Sequence, residues 1–390
     1  MGLSSSFLKK PAWIRTKAPS GETWKQVERI LAAYRLKTVC DHAQCPNKGE
    51  CWGAGTAAFM ILGDTCTRAC RFCAVATARN GEPPRPDEGA ALARAVGELG
   101  LAYVTLTSVD RDDLPDRGAG HFASCVAALK EAAAVVVEAL IPDYTEGELA
   151  PIIRAAPDVV SHNIETVRSL QGAVRDPRAS FDRSLAALRH AKALGAPATK
   201  TSLLVGLGEK PAEVLAAMDE IRGAEVDMLV IGQYLRPSSR HIPVAEYVAP
   251  ERFALYARAA QERGFAFTAA SPLARTSYRA FEGWKAACPE AGGNITVEAL
   301  GKPAGCKLIR VRAEFGGGVI RAIRIRGDFF ASPEEAFEQV ERELAGAAPE
   351  EVAARFDRFI RSAGVEVSGI SGAALEILLR GALEERRILL

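Results

Sequence analysis

From about residue 56 to residue 285, short apolar runs alternate with longer helical patterns, and no other feature limits the fold as strongly. The runs at 57–62, 102–107, 135–140, 159–162, 199–205, 228–232 and 265–269 read as strands. Stretches between them, such as 88–99, 181–194 and 211–222, carry apolar residues at helical spacing. Strands joined by crossover helices make a parallel sheet covered on both faces, and repeating the unit bends the sheet toward a full or partial barrel. The expected class is α/β, a partial (β/α) barrel over 56–288 whose function gathers where strands end and loops begin.

The flanks differ. Residues 1–55 read as an arm and a cysteine-bearing segment, and 298–390 as a separate α+β domain. Pro289-Glu290-Ala291-Gly292-Gly293 reads as the linker. Two alternating strands, 307–314 and 319–326, meet at Phe315-Gly316-Gly317-Gly318, a hairpin signature. Ser332-Pro333-Glu334-Glu335 then starts a helix, with Ser as N-cap and Pro at the first helical position, and two further helices run toward the C-terminus.

Lys+Arg (49) nearly balance Asp+Glu (48), which gives no sign of a nucleic-acid or membrane partner. The local exception is the modestly basic arm before Cys40. No apolar run is long enough to span a bilayer, and the N-terminus lacks the order of a secretory signal. Gly2 and Ser6 match the myristoylation pattern, which is short and common enough to arise by chance. A cytoplasmic, reducing setting follows, in which clustered cysteines more often hold metal than form disulfides.

Of nine cysteines, six form two tight groups. Cys66, Cys70 and Cys73 are spaced C-x3-C-x2-C directly after the first barrel strand. Three thiolates on one loop can hold three irons of a 4Fe–4S cube and leave the fourth iron open to chelate S-adenosylmethionine (SAM). One electron passed to the sulfonium would then release a 5′-deoxyadenosyl radical. Phe72 can cover such a cluster and pack near adenine. Structural zinc prefers closed four-ligand sets and fits this loop poorly. Cys40, Cys45 and Cys51 form the second group, where a cube needs a fourth ligand from elsewhere or an exchangeable one. Zinc with His42 as fourth ligand is the alternative there. Cys125, Cys288 and Cys306 are isolated, and Cys125 reads as a small buried hydrophobe.

Taken together, these segments resemble the lipoyl synthase family of radical SAM enzymes over about residues 11–285. Thr38–Trp52 resembles the family's auxiliary-cluster motif, and Cys66–Cys73 its radical SAM motif. Further blocks run from Leu106 to Leu114, His162 to Val167, Val174 to Ser180, Gly206 to Glu209 and Ile231 to Ser238. Arg275-Thr276-Ser277-Tyr278 resembles the family's Arg-Ser-Ser-Tyr motif, whose second serine ligates the auxiliary cluster. The resemblance implies a radical SAM barrel, two 4Fe–4S clusters, and insertion of sulfur at carbons 6 and 8 of an octanoyl-lysine on a carrier domain. The sulfur would come from the auxiliary cluster. Neither carbon is activated by a neighbouring carbonyl, so acid–base chemistry has nothing to work on.

By that resemblance Cys66, Cys70 and Cys73 hold the SAM-cleaving cluster, while Cys40, Cys45, Cys51 and Ser277 hold the other. Asn163, Glu165 and Arg178, polar residues at or just past a strand end, are the first candidates for SAM, with Ser108 and Asp110 next. Arg275 is expected at the substrate. Arg111, Asp112 and Asp113 read equally as ligands or as a surface ion-pair loop, and His162 as a satisfied core histidine. Arg117 stands where the family usually has glycine, and Phe181 where it usually has tyrosine. Expected partners are an octanoylated lipoyl carrier domain or glycine cleavage carrier protein, an electron donor such as ferredoxin or flavodoxin, iron–sulfur assembly proteins, and a separate lipoate–protein ligase. Segments 305–311 and 325–330 resemble the accessory domain of lipoate–protein ligase, and no catalytic ligase domain is recognisable. The C-terminal domain reads as a docking surface, with a stabilising appendage as the alternative. Competing readings are a biotin synthase or methylthiotransferase type of enzyme, or a non-catalytic iron–sulfur or ligase accessory protein.

Overall fold

The computed structural model describes residues 8–14, 22–42, 45, 47–53, 57–132, 135–288, 295–316, 319–337 and 339–389. Gly2 and Ser6, the linker at 289–293 and the turn at 317–318 lie outside the described residues. The chain divides into two compact units, Met1–Ala287 and Cys288–Leu390.

The first unit is built on one eight-stranded sheet. Its strands are β1 (Lys37–Thr38), β2 (Ala57–Ile61), β3 (Tyr103–Ser108), β4 (Val136–Leu140), β5 (Val159–Ser161), β6 (Thr199–Val205), β7 (Met228–Gln233) and β8 (Phe267–Ser271). They neighbour one another in chain order, β1 antiparallel to β2 and the rest parallel. Every residue of β2 and β7 is buried, as a sheet covered on both faces requires. The register pairs Ile61 with Ser108, Leu140 with Ser161 and Gly232 with Ser271, so the strands end along one rim. The cysteine loop and the polar residues after β3, β5, β7 and β8 all leave from that rim, where open α/β folds bind ligands.

Most strand ends shift by a residue or two from the sequence reading, and two of the shifts have a clear local reason. The last strand was expected at 265–269 and begins at Phe267. Gly264 turns left-handed (φ +76°) after the helix Pro250–Glu262; its N–H bonds the Gln261 carbonyl at 2.9 Å and that of Phe265 bonds Ala260 at 3.3 Å. This is a Schellman ending, so Phe265 is the apolar contact that seals a helix and is buried with it. His162 leaves β5 because both ring nitrogens are bonded sideways, Nδ1 to the Ile141 carbonyl and Nε2 to Ser184 Oγ, each at 2.8 Å. Burial, with Arg175 nearby, lowers its pKa to about 4, so it is a neutral core histidine as expected.

Glu138 of β4 and Lys200 of β6 form an ion pair in the sheet interior, at 0% and 1% side-chain exposure. Tyr103 Oη and Ser161 Oγ donate to the same carboxylate, each at 2.6 Å. Removing one buried partner strands the other charge, which costs about 3–5 kcal/mol. Glu138→Ala should therefore lower the melting temperature by several degrees, and Glu138→Leu with Lys200→Met should recover most of the loss. Differential scanning calorimetry decides it; a Glu138→Ala transition at the parental temperature would refute the coupling.

The second unit has a three-stranded antiparallel sheet of β9 (Ile295–Gly301), β10 (Ile309–Gly316) and β11 (Val319–Gly327). The short strands β12 (Phe330–Ser332) and β13 (Glu366–Ser368) pair beside it. Strand β9 escaped the sequence reading because its alternation is weak: Val297 is buried but Leu300 is exposed. Ile309, Val311, Ala313, Ile323 and Ile325 face a core closed by the helices Val352–Ala363 and Gly372–Leu389. The helix expected after Ser332 is short, Glu334–Phe337.

Candidate functional site

The loop carrying Cys66, Cys70 and Cys73 is shaped by its backbone. Leu62 (φ +64°) and Gly63 (φ +89°) turn the chain sharply off β2. The Leu62 N–H is held by Glu88 Oε2 (3.1 Å) and its carbonyl by Arg111 Nη1 (3.0 Å). The N–H groups of Thr67, Ala69 and Arg71 bond the Asp110 carbonyl, Asp176 Oδ2 and the Val174 carbonyl, each at 2.9 Å. His241 Nε2 donates to the Cys73 carbonyl at 2.9 Å. Cys66 Sγ accepts from the Arg68 N–H and Cys70 Sγ from the Asp176 N–H, both at 3.4 Å.

Burial, followed by Asp110, pushes the Cys66 thiol up to about 11, and burial pushes Cys73 to about 12, with Cys70 and Cys66 adding to it. Three mutually repelling thiols in a desolvated loop become thiolates together only around a cation. Among the described residues, the cluster of possible ligand atoms that all lie within 4.8 Å of one another is Glu88, His121 and Cys125. Neither cysteine trio is gathered that tightly, whereas sulfurs bound to one zinc at ~2.3 Å would be. The donor set fits a larger iron–sulfur cube better. His42 lies near Asp64.

Beneath the loop sits a charge network that the sequence reading missed. Arg68 is 3% exposed and grips Asp112 with two bonds (2.9 and 3.0 Å), Asp143 at 2.9 Å and Asp110 at 3.4 Å. Burial alone would raise the Asp112 carboxyl, but the bonds from Arg68 and Thr67 hold it at about 2. Asp143 follows β4 at the same rim, as Asp110 follows β3, and that shared placement is the signal that could have found it. Arg111 pairs with Asp113 at 2.8 Å while itself 1% exposed, so the expected surface ion-pair loop is a buried one.

Among the SAM candidates, Ser108 Oγ is buried with no hydrogen-bond partner among the described residues, and Asp110 Oδ1 has only the ion pairs to Arg68 and Arg117. Glu165 stands in the left-handed region (φ +71°) and bridges to Leu203. Its side chain bonds Asn163; burial raises its carboxyl, with Arg175 and Arg275 opposing. Strain at a non-glycine residue of this kind collects at functional sites. Arg178 is not at a strand end. It reaches back to the Thr67 carbonyl (2.6 Å) and pairs with Asp176 (2.8 Å) and Asp112 (3.2 Å), bracing the cysteine loop. Phe72 is half-buried.

The second cysteine group is tied to the same rim. Cys45 N–H bonds the Cys40 carbonyl (3.0 Å) and Cys51 N–H the Asn47 carbonyl (2.9 Å), while Asn47 Nδ2 crosses to the Leu273 carbonyl after β8 (2.6 Å). Arg275 lies within electrostatic reach of both Cys45 and Glu165. A side chain at Gly232 would strike the Ala274 carbonyl and Arg275 Nη1, so glycine is what lets this loop approach β7. Thr276 Oγ1 donates to Asn163 Oδ1 and meets Ser202 Oγ, both at 3.1 Å. The half-buried Ser277 follows directly.

Residues 60–221 match the Radical SAM superfamily. The chain is 50% identical over 285 residues to the mitochondrial lipoyl synthase of Danio rerio, covering 70% of this chain and 71% of that one. It is also 50% identical over 277 residues to the lipoyl synthase of Anaeromyxobacter dehalogenans, covering 70% and 94%. This chain belongs to the lipoyl synthase family. A solved chain from the bi-partite lipoate protein ligase and E2 lipoyl domain system of Thermoplasma acidophilum is 29% identical over 20% of this chain and 88% of that one, with a TM-score of 0.19.

Besides Thr276, which takes a serine position, two departures from the lipoyl synthase pattern are accommodated locally. Arg117 adopts φ +53°, the conformation glycine takes freely, and puts its guanidinium against Asp143, Asp112 and Glu148. Phe181 is buried under the Arg168 guanidinium, 4.6 Å from the ring centre.

Proposed function

We propose that this chain is a lipoyl synthase that inserts two sulfur atoms, at carbons 6 and 8, into an octanoyl group carried on a protein lysine. The observation that carries the reading is the Asn47–Leu273 tether: it anchors the Cys40–Cys51 segment to the loop leading to Ser277, on the rim that also bears Cys66–Cys73. In this reading Cys66, Cys70 and Cys73 hold a 4Fe–4S cluster, and Cys40, Cys45 and Cys51 with Ser277 hold a second. When bound, these groups supply the electron that cleaves SAM and the sulfur that is inserted.

The chain's own residues do the rest. Ser108, Asp110, Asn163 and Glu165 offer SAM the donors and acceptors its amino-acid end requires, and the buried Ser108 Oγ without a partner supports that role. Arg178 and Asp176 keep the cysteine loop in place. Thr276 aligns Asn163 with the Arg275–Tyr278 turn. Arg275 supplies positive charge within reach of Cys45 and Glu165, and in this reading it meets the substrate. The octanoylated carrier domain is the substrate, a ferredoxin or flavodoxin the donor, and iron–sulfur assembly proteins restore the second cluster. A reducing cytoplasmic compartment suits such thiols; none of the helices among the described residues is long and apolar enough to cross a membrane.

Anaerobic reconstitution with iron, sulfide, SAM, reductant and an octanoyl-lysine peptide tests this. Mass spectrometry should show a peptide that has gained two sulfur atoms, with two 5′-deoxyadenosines formed per product. SAM cleavage without sulfur in the peptide would refute it.

A further inference from the structure

The outer face of the β9–β11 sheet carries arginines in a pattern unfavourable for an isolated domain. Residues alternate along each strand, so the inward set Ile309, Val311, Ile323 and Ile325 leaves Arg310, Arg312, Arg324 and Arg326 outward and exposed. The register sets Arg310 directly opposite Arg326 and Arg312 directly opposite Arg324. Like charges so placed destabilise a sheet. Relief is partial: Glu298 reaches Arg312 at 3.5 Å and Glu341 reaches Arg326 at 2.9 Å. Arg310 and Arg324, diagonal to each other, have no ion-pair partner among the described residues.

We infer that this sheet face docks an acidic surface on the folded carrier domain that presents the octanoyl-lysine. Charge complementarity selects the partner. Adjacent rows lie ~7 Å apart along a strand, within the ~8 Å reach of unscreened charge at physiological salt, so the four arginines outweigh Glu298 and Glu314, which share the face. The face is a sheet surface with Leu300 at its margin, suited to a broad protein contact. Among the described residues it presents no aromatic ring on which bases would stack, so a protein partner is favoured over nucleic acid. Amide formation also removes a positive charge from the acylated lysine, leaving the carrier more acidic there. The inference rests on the proposed function only for the identity of the carrier.

The test uses the full reconstituted chain and two substrates, an octanoyl-lysine peptide and an intact octanoylated carrier domain. R310E/R324E should raise KM for the carrier about tenfold at low salt with kcat unchanged, because such contacts hold ground and transition states alike. Peptide kinetics should not change. R358E/R361E, the same charge reversal on the exposed side of the helix Val352–Ala363, should behave as the parent. A carrier KM within about twofold of the parent, or an equal rise in both variants, overturns the docking face. Binding to poly-uridine RNA or phosphatidylserine vesicles more tightly than to the carrier, lost in R310E/R324E, overturns it in favour of those partners. Calorimetric carrier binding that weakens in R310E/R324E, even if the parent converts neither substrate, supports docking and overturns the functional reading instead.

Discussion

Replacing Cys66, Cys70 and Cys73 together with alanine should abolish SAM cleavage and leave about half of the roughly eight irons of the reconstituted protein. The fold should survive, because the loop is held by groups the substitutions leave in place. Arg68 keeps Asp112 and Asp143, Asp176 keeps the Ala69 N–H, and His241 keeps the carbonyl at position 73. Only the thiols are lost, and with them the Arg68 and Asp176 N–H contacts to sulfur. Iron and sulfide analysis, the electron paramagnetic resonance of the reduced protein and chromatography of 5′-deoxyadenosine read the three consequences separately. Retained SAM cleavage would remove these cysteines from the mechanism. Loss of all iron with an intact melting profile would mean that the second site does not assemble alone.

What the sequence made legible, and what it hid, follows from how far apart the interacting residues lie. Thr199–Val205 and the helices Glu88–Leu99 and Pro211–Arg222 fall at the expected boundaries because each is an apolar pattern set by its own neighbours. The cysteine trios are readable for the same reason, since one short loop supplies each set. Phe265 misleads because an apolar residue after a left-handed glycine looks like the start of a strand until its bond back to Ala260 is seen. The Arg68 network is invisible from sequence. It pairs an arginine inside a cysteine motif with acids 42 to 75 positions away, on two other rim loops. Arg117 looked like a simple departure from glycine, yet it keeps the glycine-like backbone and adds a charge to that network. Ser277 is the extreme case. A half-buried serine after the last strand carries no mark of its own, and only its resemblance to a family motif raises it above an ordinary loop residue.

That makes Ser277 and the first cysteine trio the second large test. Alanine at Cys40, Cys45 and Cys51 together should leave SAM cleavage intact and remove sulfur insertion, because the proposed function puts radical generation on the other loop. Ser277→Ala should lower sulfur insertion by at least about 10–100-fold, the cost of losing even an outer-shell partner of a metal ligand, with SAM cleavage again spared. Ser277→Cys separates ligation from simple packing. Thiolate is a softer donor than alkoxide and holds iron of a sulfur cluster more firmly. The cysteine variant should therefore assemble full iron yet release sulfur more slowly than the parent. Iron content, the ratio of lipoyl product to 5′-deoxyadenosine, and single-turnover rates on the octanoyl-lysine peptide distinguish the variants. Unchanged turnover in Ser277→Ala would make it an ordinary loop residue. Full sulfur insertion after loss of Cys40, Cys45 and Cys51 would mean that the sulfur comes from elsewhere.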